Sequence, residues 1–156
     1  MSDLATVPLA SASVIPAPGL AVLKDLTRLQ TFLLSLPEDD FQQVPLPVEH
    51  LLHGGMYART VRREFDSVTI GSLINKATIL IVNGPCSMLI GDQRVDLDGY
   101  NVLAGMPGRK SMSVTRGQVE MTMIFPTSAQ TVEEAENEIF AEACLLVSRR
   151  EEKESA

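Results

Sequence analysis

The chain has 156 residues, enough for one domain with a real core and short for two. Hydrophobic residues make up 45% of it, yet aromatics are only 4% and there is no Trp, which argues against stacking sugars or single-stranded nucleic acid onto rings. A formal net charge of −7 argues equally against a phosphate-backbone partner, so no nucleic acid is expected.

Residues 1–19 are rich in Ala, Ser, Val and Pro with almost no charge, the composition of an extended arm that is ordered only where it lies on something. Asp3 and the missing basic region do not suit a secretory signal, and no run approaches the roughly eighteen apolar residues of a membrane span. A soluble protein is expected, in a virion or in the host cytoplasm, with no membrane contact. Over residues 20–37 the pattern is helical: Val22, Leu26, Leu29, Leu33 and Leu36 follow the spacing of one helix face, and Pro37 ends it. Leu23, Phe32 and Leu34 widen the apolar surface, so this helix is expected to pack on the domain and to offer an interface.

Glu38 to Pro47 reads as a loop or extended connection, and beyond His53-Gly54-Gly55 the period shifts to two. Strands are predicted at Met56–Arg63, Ser67–Ile70, Thr78–Val82, Cys86–Ile90, Gln93–Leu97, Asn101–Ala104, Lys110–Thr115 and Gln118–Phe125. In the last pair Met112 and Val114 alternate with Ser111, Ser113 and Thr115, and Val119, Met121, Met123 and Phe125 with Glu120, Thr122 and Ile124, and Met88, Met112, Met121 and Met123 are expected to fill core gaps. Asn83-Gly84 carries the signal of a type I′ hairpin and Arg116-Gly117 that of the final hairpin. Short strands separated by Gly, Asn, Asp and Pro predict an antiparallel sandwich or barrel over residues 52–127. A C-terminal helix is predicted over residues 131–148, opened by the capping box Thr131-Val-Glu-Glu134 and striped by Val132, Ala135, Ile139, Ala143 and Leu146, with Phe140 and Val147 beside. Residues 149–156 form a charged tail.

Cys86 and Cys144 belong to no Cys-x-x-Cys pair and read as buried free thiols of a reducing compartment. His50 and His53, spaced i to i+3 beside Glu49, could share a helix face and bind a metal. The flanking prolines and Gly54-Gly55 favour a surface or helix-end pair instead.

The central block resembles the cupins, small jelly-roll barrels, and in particular the single-domain cupin-like proteins of tailed bacteriophages. The residues that carry the resemblance are His53-Gly-Gly-Met-Tyr-Ala-Arg59, the strand closing on Val82-Asn83-Gly84, Gly99-Tyr-Asn-Val-Leu103 and Pro107-Gly108-Arg-Lys110, with the helix opened by Thr131-Val-Glu-Glu-Ala-Glu136 downstream. The resemblance implies an all-β core with flanking helices: a cupin-like jelly roll with an N-terminal arm and helix and a C-terminal helix. Metal-binding members of that family place His and Glu ligands inside the barrel. Here the equivalent stretches supply Ile74, Lys76 and Thr78, then Arg109, Lys110 and Ser111, so no metal, other cofactor or catalytic residue is expected.

Two functions remain open. One is a non-enzymatic assembly protein, a virion component of a tailed phage, homo-oligomeric and in contact with other virion proteins. Its interface would use Val22, Leu26, Leu29, Leu33, Leu36, Ile139 and Phe140. The other is a binding or regulatory module that holds a small anion or metabolite through Arg59, Arg109 or Lys110.

Overall fold

The computed structural model describes residues 14–40, 44, 46–64, 66–90, 93–146 and 149. In chain order the elements are β1 (Val14–Ile15), α1 (Leu20–Ser35), β2 (Val48–His53), β3 (Met56–Arg63), β4 (Ser67–Ile70), β5 (Thr78–Asn83) and β6 (Cys86–Ile90). They continue with β7 (Gln93–Leu97), β8 (Tyr100–Gly105), β9 (Met112–Thr115), β10 (Val119–Pro126) and α2 (Val132–Ile139), followed by a 3-10 turn at Ala143–Leu145.

The strands form two layers, one in the order β1-β8-β5-β10-β3-β2 and the other β4-β9-β6-β7. All pairs are antiparallel except β1 with β8. This is the jelly-roll sandwich core with flanking helices that the sequence predicts. Alternation places Leu80 and Val82 of β5, Met88 of β6, Val95 and Leu97 of β7, Leu103 of β8 and Val119 of β10 in the core between the layers. A second core, of Tyr57, Ile74, Phe125, Ala135, Ile139 and Phe140, seats α2.

Neither predicted hairpin is one. The strands flanking Asn83-Gly84 belong to different sheets, as do those flanking Arg116-Gly117, so at both points the chain passes from one layer to the other. Asn83 keeps a negative φ, and only Gly84 is positive, at 118°. A Cβ on Gly84 would lie 2.4 Å from the Gln118 carbonyl oxygen, so close backbone approach also requires glycine here. An adjacent-strand hairpin is instead made by Gly54-Gly55, φ 57° and 76°, between β3 and β2, an edge strand that the loop prediction up to Pro47 and the reading of the histidines missed.

The helices are shorter than predicted. Leu36 before Pro37 is already extended, as the proline ring demands. α2 has its predicted capping box, with Thr131 and Glu134 satisfying each other's backbone donors. It stops at Ile139 because Phe140 turns extended and bridges to Ile74. The stripe nevertheless holds its direction: Ala135, Ile139 and Ala143 are buried, and Val132 and Leu146 half-buried. Val147 lies outside the described residues. Of the N-terminal arm, Ile15 is buried and pairs beside Gly105, so this end of it packs on its own sheet; residues 1–13 lie outside the description, as do 150–156 of the tail. In α1 the stripe Val22, Leu26, Leu29, Leu33 and Leu36 is the half-buried to buried side, while Leu20, Phe32 and Leu34 are exposed. Among the described residues no helix is long and apolar enough to cross a membrane.

Candidate functional site

Alternation along β3 puts Tyr57, Arg59, Val61 and Arg63 on its inner side and sends Arg62 outward, where Glu49 and Glu120 pair with it. Arg59 is 7% exposed and Arg63 6%. From the segment before β9 comes Arg109, 2% exposed. All three line a cavity of about 700 Å³ whose wall combines apolar residues, Val61, Leu80, Met88, Met121 and Met123 among them, with the acidic Glu64, Asp66 and Glu142 and several serines. Gln30 and Leu33 of α1 complete the wall on one side.

The three guanidiniums differ in how their charge is met. Arg59 Nε lies 3.4 Å from Glu136 Oε1, and the guanidinium stands 5.6 Å from the centre of the Phe140 ring. Glu136 is itself buried, accepts a hydrogen bond from Arg149 Nε at 2.8 Å and is in reach of Tyr57 Oη at 3.5 Å. Tyr57 Oη lies 2.6 Å from His50 Nδ1. Burial, then the Glu136 charge, raises the Tyr57 phenol, which stays neutral and links β2, β3 and α2.

Arg63 donates from Nη1 to Ser113 Oγ at 3.1 Å, while its buried Nε has no hydrogen-bond partner. Arg109 donates weakly from Nη1 to the Met106 carbonyl at 3.4 Å and rests Nη2 against Met123 Sδ at 4.0 Å. Among the described residues neither has a carboxylate partner. Burial lowers the pKa of both, for Arg109 to about 10, so that it remains a cation at neutral pH. Its seat exists because residue 105 is glycine: a Cβ there would lie 1.8 Å from Arg109 Nη1.

Of the predicted anion contacts, Arg59 and Arg109 meet at the cavity and Lys110 does not. Lys110 is buried beside it and binds Gln30 Oε1 at 2.6 Å and Glu142 Oε2 at 2.8 Å, tying α1 to the segment after α2. Of the wider basic set that the sequence offers for an anion, which adds Arg62 and Arg63, the structure brings Arg63 into the cavity wall and pairs Arg62 with Glu49 and Glu120. The alternation of β9 runs opposite to the expectation: Ser113 and Thr115 are buried, and Met112 and Val114 only half-buried. Ile139 and Phe140, candidates for an interface, belong to the chain's own core. Cys86 is buried, its thiol pushed up to about 11 by that burial, but Cys144 is exposed, contrary to expectation.

His50 and His53 lie on β2, where i and i+3 point to opposite faces and cannot share a metal. Among the described residues no three His, Cys, Asp or Glu side chains converge on a point. Ile74 and Thr78 are buried, and Lys76 pairs with Glu138. Three guanidiniums in the cavity wall do not fit the divalent metal of metal-binding cupins, since they repel a cation and offer it no lone pair.

No protein-family model matches the chain, and no curated protein matches it. Among solved structures it is similar to a cupin superfamily protein from Desulfitobacterium hafniense, at 15% identity and TM-score 0.46, over 60% of this chain and 90% of that one. It is likewise similar to a cupin-2 domain containing protein from Shewanella frigidimarina, at 16% identity and TM-score 0.42, over 63% and 98%. A cupin 2 conserved barrel domain protein from Salinispora arenicola matches at 12% identity and TM-score 0.46, over 60% and 87%. Likeness at this level says nothing about the chemistry inside the sandwich.

Proposed function

We propose that the protein is a non-enzymatic binding module that takes a small organic anion into the cavity between its sheets. The observation that carries this reading is the burial of Arg63 and Arg109 in the cavity wall, where among the described residues no carboxylate lies within ion-pair distance of either, although Glu64, Asp66 and the Lys110-bound Glu142 line the same cavity. A buried cation without a counter-ion is a standing cost to the fold, and an entering anion would remove it through charge-assisted hydrogen bonds. Guanidiniums stay charged near neutrality, so they hold anions rather than shuttle protons. The apolar part of the wall, Val61, Leu80, Met88, Met121 and Met123, suits a ligand with a hydrocarbon body.

Calorimetric titration with octanoate at neutral pH and low salt tests this. Saturable binding at one site is expected, weakened by about tenfold or more in Arg109→Met, the scale of losing one hydrogen-bonded charge. Absence of binding by octanoate, suberate and phosphate at millimolar concentration would sink the reading.

A second reading, assembly with further copies of the chain in a virion, is favoured by the outer face of the six-stranded sheet. There Ile79 is 47% exposed and Val102 51%, two large aliphatics on neighbouring strands. The setting in a phage particle rests on the sequence resemblance. The two readings use opposite faces of the same sheet and are compatible.

A further inference from the structure

The two guanidiniums without carboxylate partners lie at different levels of the cavity, and this bears on what kind of anion it takes if the anion-binding reading holds. Along β10, Met123 is the register partner of Arg59 and Val119 that of Arg63. Those levels are four residues apart, about 13 Å along a strand. Arg109 rests against Met123 Sδ and so belongs to the Arg59 level. Arg63 belongs to the other, where its Nη1 is held by Ser113 and its Nε is left without a partner. Between the levels Val61 and Met121 pair across β3 and β10, while Leu80 stands at the Met123 level and Met88 beside Ser113 at the Arg63 level.

A single anion could satisfy one of these cations and would leave the other buried and unmet. We infer that the cavity is shaped for a linear dianion, a dicarboxylate whose two charged ends are separated by several methylenes, with one end at Arg109 and the other at Arg63. Arg59 is not needed for charge, since Glu136 lies beside it, though that carboxylate also serves Arg149. With roughly 2.8 Å taken up by the charge-assisted hydrogen bond at each end, levels about 13 Å apart along the backbone call for a medium-length chain and not a four-carbon diacid. The cavity of about 700 Å³ has room for it.

The test is a calorimetric ranking of suberate, octanoate and succinate on the unaltered protein at neutral pH and constant ionic strength. Suberate is expected to bind about tenfold or more tightly than octanoate, which has similar length and one charge, and more tightly than succinate, which has two charges and no reach. In Arg63→Met suberate is expected to lose about tenfold more affinity than octanoate does, so that its advantage vanishes. Octanoate binding as well as suberate, succinate ranking first, or Arg63→Met weakening octanoate and suberate alike would overturn the dianion while leaving an anion site in place. No binding by any of the three, nor by phosphate, overturns both. The wild-type ranking decides the matter even if the variant folds poorly.

Discussion

Arg109 occupies a seat that position 105 leaves open only as glycine, and this allows the seat to be closed without removing the arginine. In Gly105→Ala the new Cβ would meet Arg109 Nη1 and, at 2.7 Å, Thr78 Oγ1. Arg109 Nη1 is the far end of a flexible side chain and can move, so the variant is expected to fold, to displace the guanidinium and to lose octanoate binding, as calorimetry beside a thermal melt would report. Arg109→Met carries an opposite expectation for stability. Replacing a desolvated, unpaired cation by an apolar side chain of similar length should raise the melting temperature, by about 2–4 °C for a gain of roughly 1 kcal/mol in a chain of this size. Loss of stability in that variant would mean that the guanidinium is a strut of the fold and not a ligand contact. Arg109 could be proposed from sequence because it follows Pro107-Gly108 at a recognisable loop. Ser113 could not, since Met112 and Val114 looked like the inner face until the burial of Ser113 and Thr115 reversed it. Polar residues turned inward are what a site looks like, and hydrophobic alternation hides them.

Elements were legible where the signal was local and illegible where it depended on which layer a strand joins. The capping box at Thr131, the α1 stripe and the alternation of β10 all act within a few residues. Asn83-Gly84 supplies the same backbone freedom whether the next strand pairs with the last or crosses to the other sheet, so its hairpin reading failed. The ends of the sandwich are closed by polar ties that can be tested one at a time. Lys110 holds α1 through Gln30 and the segment after α2 through Glu142. Lys110→Met should therefore speed amide hydrogen exchange in α1 while leaving β3, β5 and β10 unchanged; equal protection in α1 would show that its apolar stripe alone holds it. On α2, hydrogen bonds from Lys76 first and then Thr127 hold the Glu138 carboxyl below the usual carboxylate range. A depressed folded-state pKa gives stability that is present above the unfolded value, about 4.3 for Glu, and is lost as pH falls through the folded one. The difference in melting temperature between the wild type and Glu138→Gln should accordingly shrink below about pH 4.

At the scale of the whole molecule the two faces of the six-stranded sheet have separate chemistry. Its inner face carries Arg59 and Arg63, and its outer face carries a row of apolar side chains across four strands. Register places Ala58, Ile124, Ile79 and Ala104 side by side from β3 to β8, with Ile81 and Val102 in the row next to it, two positions along β5 and β8. Such a row is a self-complementary surface, and two copies laid face to face about a twofold axis would bury it on both. Sheet edges are less suited to the contact: β1 already covers part of the β8 edge, though with only two residues. Val102→Lys combined with Ile79→Lys places charges on both rows while touching none of the cavity wall. The double variant is expected to fall from dimer to monomer mass in light scattering at tens of micromolar and to bind octanoate as the wild type does. A wild type that is already monomeric under those conditions would remove self-association from the account. A variant that loses binding together with the dimer would instead mean that the outer face controls the cavity through the strands they share.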